Sequence, residues 1–440
     1  MKKVLIITYY WPPSGGIAVH RCLKFAKYLP EFGWEPIVYA PENAQYPVLD
    51  PSNLEQVPQG LTIIKKPIIE LFGLYKKLSG KSDADAASGN PLQVRNEKYN
   101  LVDEFAVWFR GNFFIPDARA LWVKPSVRFL TSYLENNKVD AILSDGPPHT
   151  NTWIACNVSK KTGIPWLADF QDPWTQVDYY KLLKLTRRDD KKHKSMEQEA
   201  FRVAKKITIA SPSWKKDLES IGAGNVEIIY WGYDEADFKN LPAIPVNKDG
   251  FIISHAGLLG YDRKPDGFFR ALADLVSENP SFAEKLRIIL AGSVDYSVRE
   301  SMNDFGLEKH SSFLGNIKRA DAINLSLKSQ LLILPLNKAD NAKGRIPGKL
   351  FEYLRAEVPV ICFGPEGSDV ENILNSTKRG KSFAYDDYPG IKDYISEVFT
   401  KYQAGTKSIV NPMDISTYDV RNQTGKVARY LDEISQNVNE

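Results

Sequence analysis

The chain reads as an α/β protein of two doubly wound, Rossmann-like halves, and three observations carry that reading. Strand-like and helix-like runs alternate along most of the 440 residues. The alternation breaks at KNLPAIPVNKDG, residues 239–250, where two prolines and little apolar patterning mark a linker, and then restarts. The length exceeds what one core holds, so two domains of roughly 200 residues are the natural division.

In the first half, Val4–Thr8 is a buried strand, PPSGG at 12–16 a loop, Ala18–Leu29 a helix and Glu35–Ala40 the next strand, which is a βαβ unit. Leu61–Ile64 reads as a further strand. Residues 75–100 are polar and poor in large apolar side chains, the composition of a mobile insertion. Phe105, Trp108, Phe109, Phe113, Phe114 and Trp122 crowd the segment 101–130, which predicts helices near a cleft. Strands follow at Asp140–Ser144, Pro165–Asp169, Lys206–Ala210 and Val226–Tyr230, with helices at Thr150–Lys160 and Gln198–Ala204. In the second half the strands are Phe251–Ala256, Leu286–Ala291, Ser312–Leu314, Leu331–Leu334 and Val358–Phe363. The helices are Pro265–Glu278, Ser297–Phe305, Ala320–Lys328 and Leu350–Ala356. Val427, Tyr430, Leu431 and Ile434 give the tail, Arg421–Ser435, helical spacing.

With 57 basic and 54 acidic residues the net charge is +3, which gives no reason to expect nucleic acid as a partner. Cys22, Cys156 and Cys362 each lie in an apolar periodic segment and no CxxC occurs, so buried thiols are expected and neither disulfides nor zinc. MKKVLIITYYWPP is too short an apolar run for a signal peptide and reads as a first strand. No run of ~18 apolar residues exists to span a membrane.

KGRIPGKLFEYLRAEVPVICFGPEGSDVE, residues 343–371, concentrates the chemistry. Lys343, Arg345 and Lys349 crowd Pro347 and Gly348, and Glu352 rides on an otherwise apolar helical face. Cations and the free N–H groups of a helix start hold phosphate, and a carboxylate there accepts hydrogen bonds from a ribose. The combination points to a nucleotide-sugar site; the plainer alternative is a surface helix with a basic rim. Ligands of doubly wound sheets bind at the carboxyl ends of the strands.

The segments TYYWPPSGGIAVHRCLKFAKYL, SDGPPHTNTWIA, GIPWLADFQDPW, IIYWGYDEADF, ISHAGLLGYDRKPDGFFRAL, RIILAG, FLGNIKRADA and IPGKLFEYLRAEVPVICFG resemble, in order and spacing, the family-4 retaining glycosyltransferases of the GT-B fold. The likeness is greatest to those that build bacterial surface polysaccharides such as capsule or O-antigen. The resemblance implies two facing Rossmann-like domains with a cleft between them. Residues 1–240 would form the acceptor-side domain and 250–415 the nucleotide-sugar donor domain, with the helix at about 421–440 packing back on the first. It implies a nucleoside-diphosphate sugar donor, UDP- or GDP-linked, and a glycan or polyprenyl-linked acceptor. No cofactor and no metal are expected. The protein would work in the cytoplasm, or peripherally at the inner face of the plasma membrane.

The resemblance also distributes roles. Gly15 and Gly16 let the backbone approach the donor, with a plain turn as the alternative. His149 faces a sugar hydroxyl or merely caps its helix. Of Asp169 and Asp172, three residues apart, Asp172 orients the acceptor or takes its proton. In the second half, Gly257 and Lys264 match a family glycine and lysine, the lysine neutralising the diphosphate, but the arginine expected after the glycine is Leu258; Arg263 or the cationic turn could substitute. Glu352 matches the second of two paired glutamates, while Gly344 stands where the first belongs. Gly315 and Asn316 reach the base through their backbone, and Trp231-Gly232-Tyr233-Asp234 forms a hinge-side element.

Two rivals remain: a GT-B nucleotide-sugar epimerase, and a catalytically silent subunit that positions a partner glycosyltransferase. A nicotinamide-dependent dehydrogenase is disfavoured because no GxGxxG follows a strand. Finally, YYKLLKLTRRDDKKHK at 179–194 interleaves leucines with cations, which suits an anionic membrane surface or a solvated helix face.

Overall fold

The computed structural model describes residues 1–70, 108–109, 111–239 and 250–436. Contacts divide the chain into two compact units. One runs to Trp231 and resumes at Val420; the other holds Gly232–Asp419. The expected mobile insertion at 75–100 and most of the linker at 239–250 fall outside the described residues, as does Phe105.

The first unit is a seven-stranded parallel sheet. Its strands are β1 (Lys2–Ile7), β2 (Trp34–Pro41), β3 (Thr62–Lys66), β4 (Ala141–Gly146), β5 (Trp166–Phe170), β6 (Lys206–Ile209) and β7 (Val226–Ile228), in the order β3-β2-β1-β4-β5-β6-β7. The helices between them are α1 (Ala18–Tyr28), α2 (Val123–Asn136), α3 (His149–Thr162), α4 (Arg187–Val203) and α5 (Pro212–Ser220). β1 explains why both faces are covered. Leu5 and Ile7 join one apolar cluster, Val4 and Ile6 another, so consecutive residues of a continuous apolar run go to opposite sides and each needs a helical layer.

The second unit repeats the plan with six parallel strands. These are β8 (Phe251–Ala256), β9 (Leu286–Ala291), β10 (Ser311–Gly315), β11 (Leu331–Pro335), β12 (Val360–Phe363) and β13 (Gly380–Phe383), in the order β10-β9-β8-β11-β12-β13. Its helices are α6 (Asp266–Glu278), α7 (Pro280–Lys285), α8 (Tyr296–Asp304), α9 (Arg319–Lys328), α10 (Lys349–Ala356), α11 (Asp369–Thr377) and α12 (Tyr388–Gln403). In both sheets the order reverses direction beside the first strand, β1 or β8, the switch point at which doubly wound sheets open a crevice. The last helix, α13 (Val420–Gln436), belongs to the first unit, where Val427, Leu431 and Ile434 join the cluster of Val4, Ile6 and Leu23.

The two-sheet α/β architecture is the one the sequence predicts. Five elements escape the sequence reading. α5 starts at a Ser211 side-chain cap followed by Pro212, a short polar helix whose signal is in its cap. β13 is the edge strand of the second sheet, and α7, α11 and α12 add to the helices around it. The helix expected at Gln198–Ala204 is the last part of a longer one, because α4 buries His193, Met196, Glu197, Ala200 and Phe201 on one face. The three cysteines are buried and free.

Candidate functional site

At the carboxyl end of β8 the chain turns through Gly257, at φ +137°, a region L side chains rarely adopt. A Cβ at Gly257 would stand 2.1 Å from Lys349 Nζ. The lysine ammonium therefore occupies the space a side chain would fill. The neighbouring strand end is as tight: a Cβ on Gly292, after β9, would meet the Gly257 carbonyl at 2.4 Å. Gly257 N–H donates to Ala291 O (2.7 Å) and Gly292 N–H to Gly315 O (2.6 Å), so three adjacent strand ends are stitched through glycine backbone.

α10 delivers Lys349. Gly348 precedes the helix and offers no side-chain cap to its first N–H groups. Lys349 and Tyr353 are four apart and share one helix face. The buried Tyr353 hydroxyl accepts Ala256 N–H (3.1 Å), which fixes that face against the end of β8. Lys349 Nζ lies 3.3 Å from His255 Nε2. His255 Nδ1 is 2.9 Å from the Ile333 carbonyl and must carry its proton there, leaving Nε2 as the acceptor for the ammonium. Burial, then Lys349, pushes the His255 pKa down to about 3, so the ring is neutral. Burial, with Arg263 adding, pushes the Lys349 pKa down to about 7; Glu352 acts the other way. A lysine held this way gains sharply from any anion that enters.

Sequence reasoning passed over His255 because it lies inside an apolar strand run; its position immediately before the terminal Ala256-Gly257 was the available signal. Lys338 was also missed. Its Nζ lies 3.3 Å from the Lys264 carbonyl, and its N–H donates to Asp262 O (2.8 Å), tying the loop after β11 to the 262–264 turn.

The remaining second-unit candidates divide. Arg263 forks onto Asp262 through Nε and a terminal nitrogen, both at 2.9 Å. Lys264, expected to be the chief neutralising cation, is ion-paired with Asp266 at 3.2 Å. Glu352 Oε1 is held by Arg319 at 2.6 Å, and Arg319 also reaches Asp237 at 3.0 Å. Gly315 turns at φ +64°. Arg345 is partly buried, whereas Lys343 is exposed, its Nζ 3.9 Å from where a Cβ on Gly367 would stand. Of the three cations in the turn, Lys349 is the one delivered to the β8 strand end.

In the first unit the carboxylates split. Asp169 is buried and accepts both Nε (2.5 Å) and a terminal nitrogen (2.7 Å) of Arg21, with Thr208 Oγ1 donating at 2.6 Å. Arg21 also donates to the Ile229 carbonyl at 3.0 Å. Asp172 lies beyond β5, partly exposed. Asp145 ends β4 fully buried, accepting from Thr8, Asn151 and Gln171, and burial reinforced by Asp169 raises its pKa to about 7. His149 follows at the start of α3. It is 7% exposed and stacks on Trp174, ring centroids 4.6 Å apart and nearly coplanar. Its Nδ1 is 3.4 Å from Thr152 Oγ1, and burial lowers its pKa to about 3. The ring is thus packed into the unit; α3 is preceded by Pro148 and has no side-chain cap, so His149 does not cap its helix. Gly15 donates to Val48 O (2.8 Å), and a Cβ there would stand 2.8 Å from Val48 Cγ1, so packing on residues 48–50 accounts for this glycine; Gly16 turns at φ +79°. Gly232, first residue of the second unit, turns at φ +74° beside the buried Tyr233 and Asp234.

Residues 237–404 match the family profile described as glycosyl transferases group 1. No curated protein matches the chain by sequence. Among solved structures, HepE of Anabaena in complex with UDP-glucose is similar over 98% of this chain and 100% of its own, at 14% identity and TM-score 0.61. A UDP-GlcNAc 2-epimerase from Neisseria meningitidis bound to UDP-GlcNAc covers 98% and 100%, at 13% and 0.55. WaaG, a glycosyltransferase involved in lipopolysaccharide biosynthesis, covers 99% and 98%, at 12% and 0.53. At such identities the likeness establishes the shared GT-B fold.

Proposed function

We propose that this chain, whose residues 237–404 carry a glycosyl transferases group 1 domain, moves a sugar from a nucleoside-diphosphate sugar to an acceptor hydroxyl with retention of anomeric configuration, as a family-4-like enzyme. The donor is UDP- or GDP-linked. The acceptor is a glycan or lipid-linked oligosaccharide in surface-polysaccharide synthesis, capsule or O-antigen being the candidates. The observation that carries the reading is the Lys349 ammonium, seated in the space of the absent Gly257 side chain and bonded to a neutral histidine.

When the bond from C1 to the phosphate oxygen breaks, its electron pair leaves with the diphosphate, and negative charge grows there. A preorganised cation stabilises that charge most where water is scarce. Lys349 supplies it, assisted by Arg263, Lys264 and the uncapped start of α10. Lys349 thereby fills the place of the arginine that Leu258 replaces. No metal is required by this scheme. Glu352, its Oε1 already fixed by Arg319, offers Oε2 to a ribose hydroxyl. Arg345 and the backbone at Gly257 and Gly315 complete the donor side. In the first unit Asp172 accepts the proton of the attacking hydroxyl as the new C1–O bond forms. His149 positions the 171–175 turn through its stack on Trp174.

The test is a thermal-shift panel of uridine, guanosine and adenosine diphosphate sugars, followed by NMR of the product anomer. A bound donor raises the melting temperature by mass action. Transfer with retention supports the proposal, and no response to any donor overturns it. The epimerase bound to UDP-GlcNAc shares this fold, so the panel is also run without acceptor; release of epimerised nucleotide sugar would replace transfer by epimerisation.

A further inference from the structure

β8 divides the carboxyl end of the second sheet into two flanks, β9 and β10 on one side and β11, β12 and β13 on the other. Lys349, the cation read above as the diphosphate ligand, stands at the end of β8 itself. Its surroundings set the direction of the nucleoside. Glu352, read as the ribose ligand, is held by Arg319 at 2.6 Å, and Arg319 opens α9, the helix that follows β10. Exposed apolar groups lie on the same flank. Tyr296, at the start of α8, is 54% exposed, and Leu314, near the end of β10, 49%. Ribose and base therefore belong over β9 and β10. A sugar joined to the other end of the diphosphate extends over β11, β12 and β13.

That second flank carries a cation of its own. Lys338 follows β11 and is exposed. Its backbone N–H donates to Asp262 O (2.8 Å) and its Nζ donates to Lys264 O (3.3 Å), so both ends of the residue are tied to one turn. The ammonium stands over the Tyr385 ring, 4.3 Å from its centroid. Tyr385 follows β13, and its hydroxyl donates to the Leu336 carbonyl, which fixes the ring. The acids of the adjoining turn are engaged elsewhere, Asp262 by Arg263 at 2.9 Å and Asp266 by Lys264 at 3.2 Å. Asp387, two residues past Tyr385, caps α12 by accepting Gly390 N–H (3.1 Å). An ammonium has three N–H donors, and the Lys264 carbonyl takes one. Lys338 is thus held in place by neutral groups, with donors left for an arriving anion.

We infer that the transferred sugar is a hexuronate whose C6 carboxylate is received by Lys338, so that this lysine sets the sugar specificity of the donor. The inference rests on the donor reading above, since it takes the diphosphate to sit at Lys349. A neutral hexose brings hydroxyls, for which water is an equal partner; a carboxylate brings a charge-assisted bond. The diphosphate itself already has Lys349, Arg263, Lys264 and the uncapped start of α10.

The experiment is isothermal titration of the full chain with UDP, UDP-glucose and UDP-glucuronate, and with GDP, GDP-mannose and GDP-mannuronate. The expected result is a uronate donor that binds about tenfold tighter than its neutral counterpart, a preference that salt reduces. Lys338→Met removes the preference and leaves the affinity for the bare nucleotide and the melting temperature unchanged. Lys338→Arg keeps most of it. Equal binding of uronate and neutral donors overturns the inference and leaves the donor reading standing. So does a Lys338→Met variant that retains the preference. So does one that melts earlier and loses affinity for every nucleotide alike, which would make Lys338 a staple of its loop. Binding of none of the six overturns the donor reading itself, and the inference with it.

Discussion

The carboxyl ends of the two sheets are built alike and hold their charges differently. In the first unit they collect acids, each satisfied from within: Asp169 by Arg21 and Thr208, Asp145 by three donors, and Glu70 by the Tyr9 hydroxyl at 2.7 Å. In the second they collect cations, and the innermost of these, Lys349, is paired with a neutral imidazole. One plan of parallel strands thus yields a closed polar network in one place and an unspent positive charge in the other. The charge with a neutral partner is the one that attracts a ligand; the neutralised ones hold structure.

That contrast is broken most directly from the first unit. Removing Asp169 leaves the Arg21 guanidinium buried without its carboxylate, so Asp169→Ala should cost about 3–5 kcal/mol in denaturant unfolding. Stability surviving that change would make the acids of the first unit functional rather than structural. The next effect falls in the second unit. Lys349→Met should lower transfer about 100- to 1,000-fold with little change in melting temperature, while Lys264→Met, already paired with Asp266, should cost about tenfold. Equal losses would restore Lys264 as the principal cation.

The smallest effect has a definite sign. Lys349 titrates near 7 in the free protein, well below an ordinary lysine, and a bound diphosphate favours its charged form. Binding above that pH therefore takes up a proton. Affinity for a nucleotide sugar should be flat below pH 7 and fall by up to about tenfold per unit above it, as titration calorimetry would read, and Lys349→Met should abolish the slope. Stability runs the other way. Between about pH 7 and the ordinary lysine range the unfolded chain binds more protons, so this group makes the free protein more stable as pH rises.

Much of this was legible beforehand, and the misses have physical causes. The alternation of strands and helices declared both sheets, because two-sided burial leaves continuous apolar runs that few other folds need. The cationic turn at 343–349 was legible as an anion site, and its spacing marked Glu352. What spacing could not rank was the cations. Lys264 looked preferable from its distance along the chain to Gly257, yet Asp266, two residues on, claims it. Lys349, some ninety positions away, reaches Gly257 only through the packing of α10 on β8. α12 was overlooked although Ile391, Tyr394, Ile395, Val398 and Phe399 carry helical spacing, which is an oversight of reading and not of information. His149 shows the converse: a histidine after a strand has the sequence mark of a catalyst, and only the coplanar Trp174 ring reveals its packing role.

The return of the chain at Val420 also bears on how the protein is made. The first unit lacks α13 until the whole of the second has been synthesised, and α13 supplies Val427, Leu431 and Ile434 to the layer over Val4 and Ile6. A ribosome therefore releases the opening lobe with one face of its sheet covered by α1 but short of its second helix while nearly two hundred further residues emerge. Loss of the final segment through a premature stop would injure the part translated first and spare the part translated last.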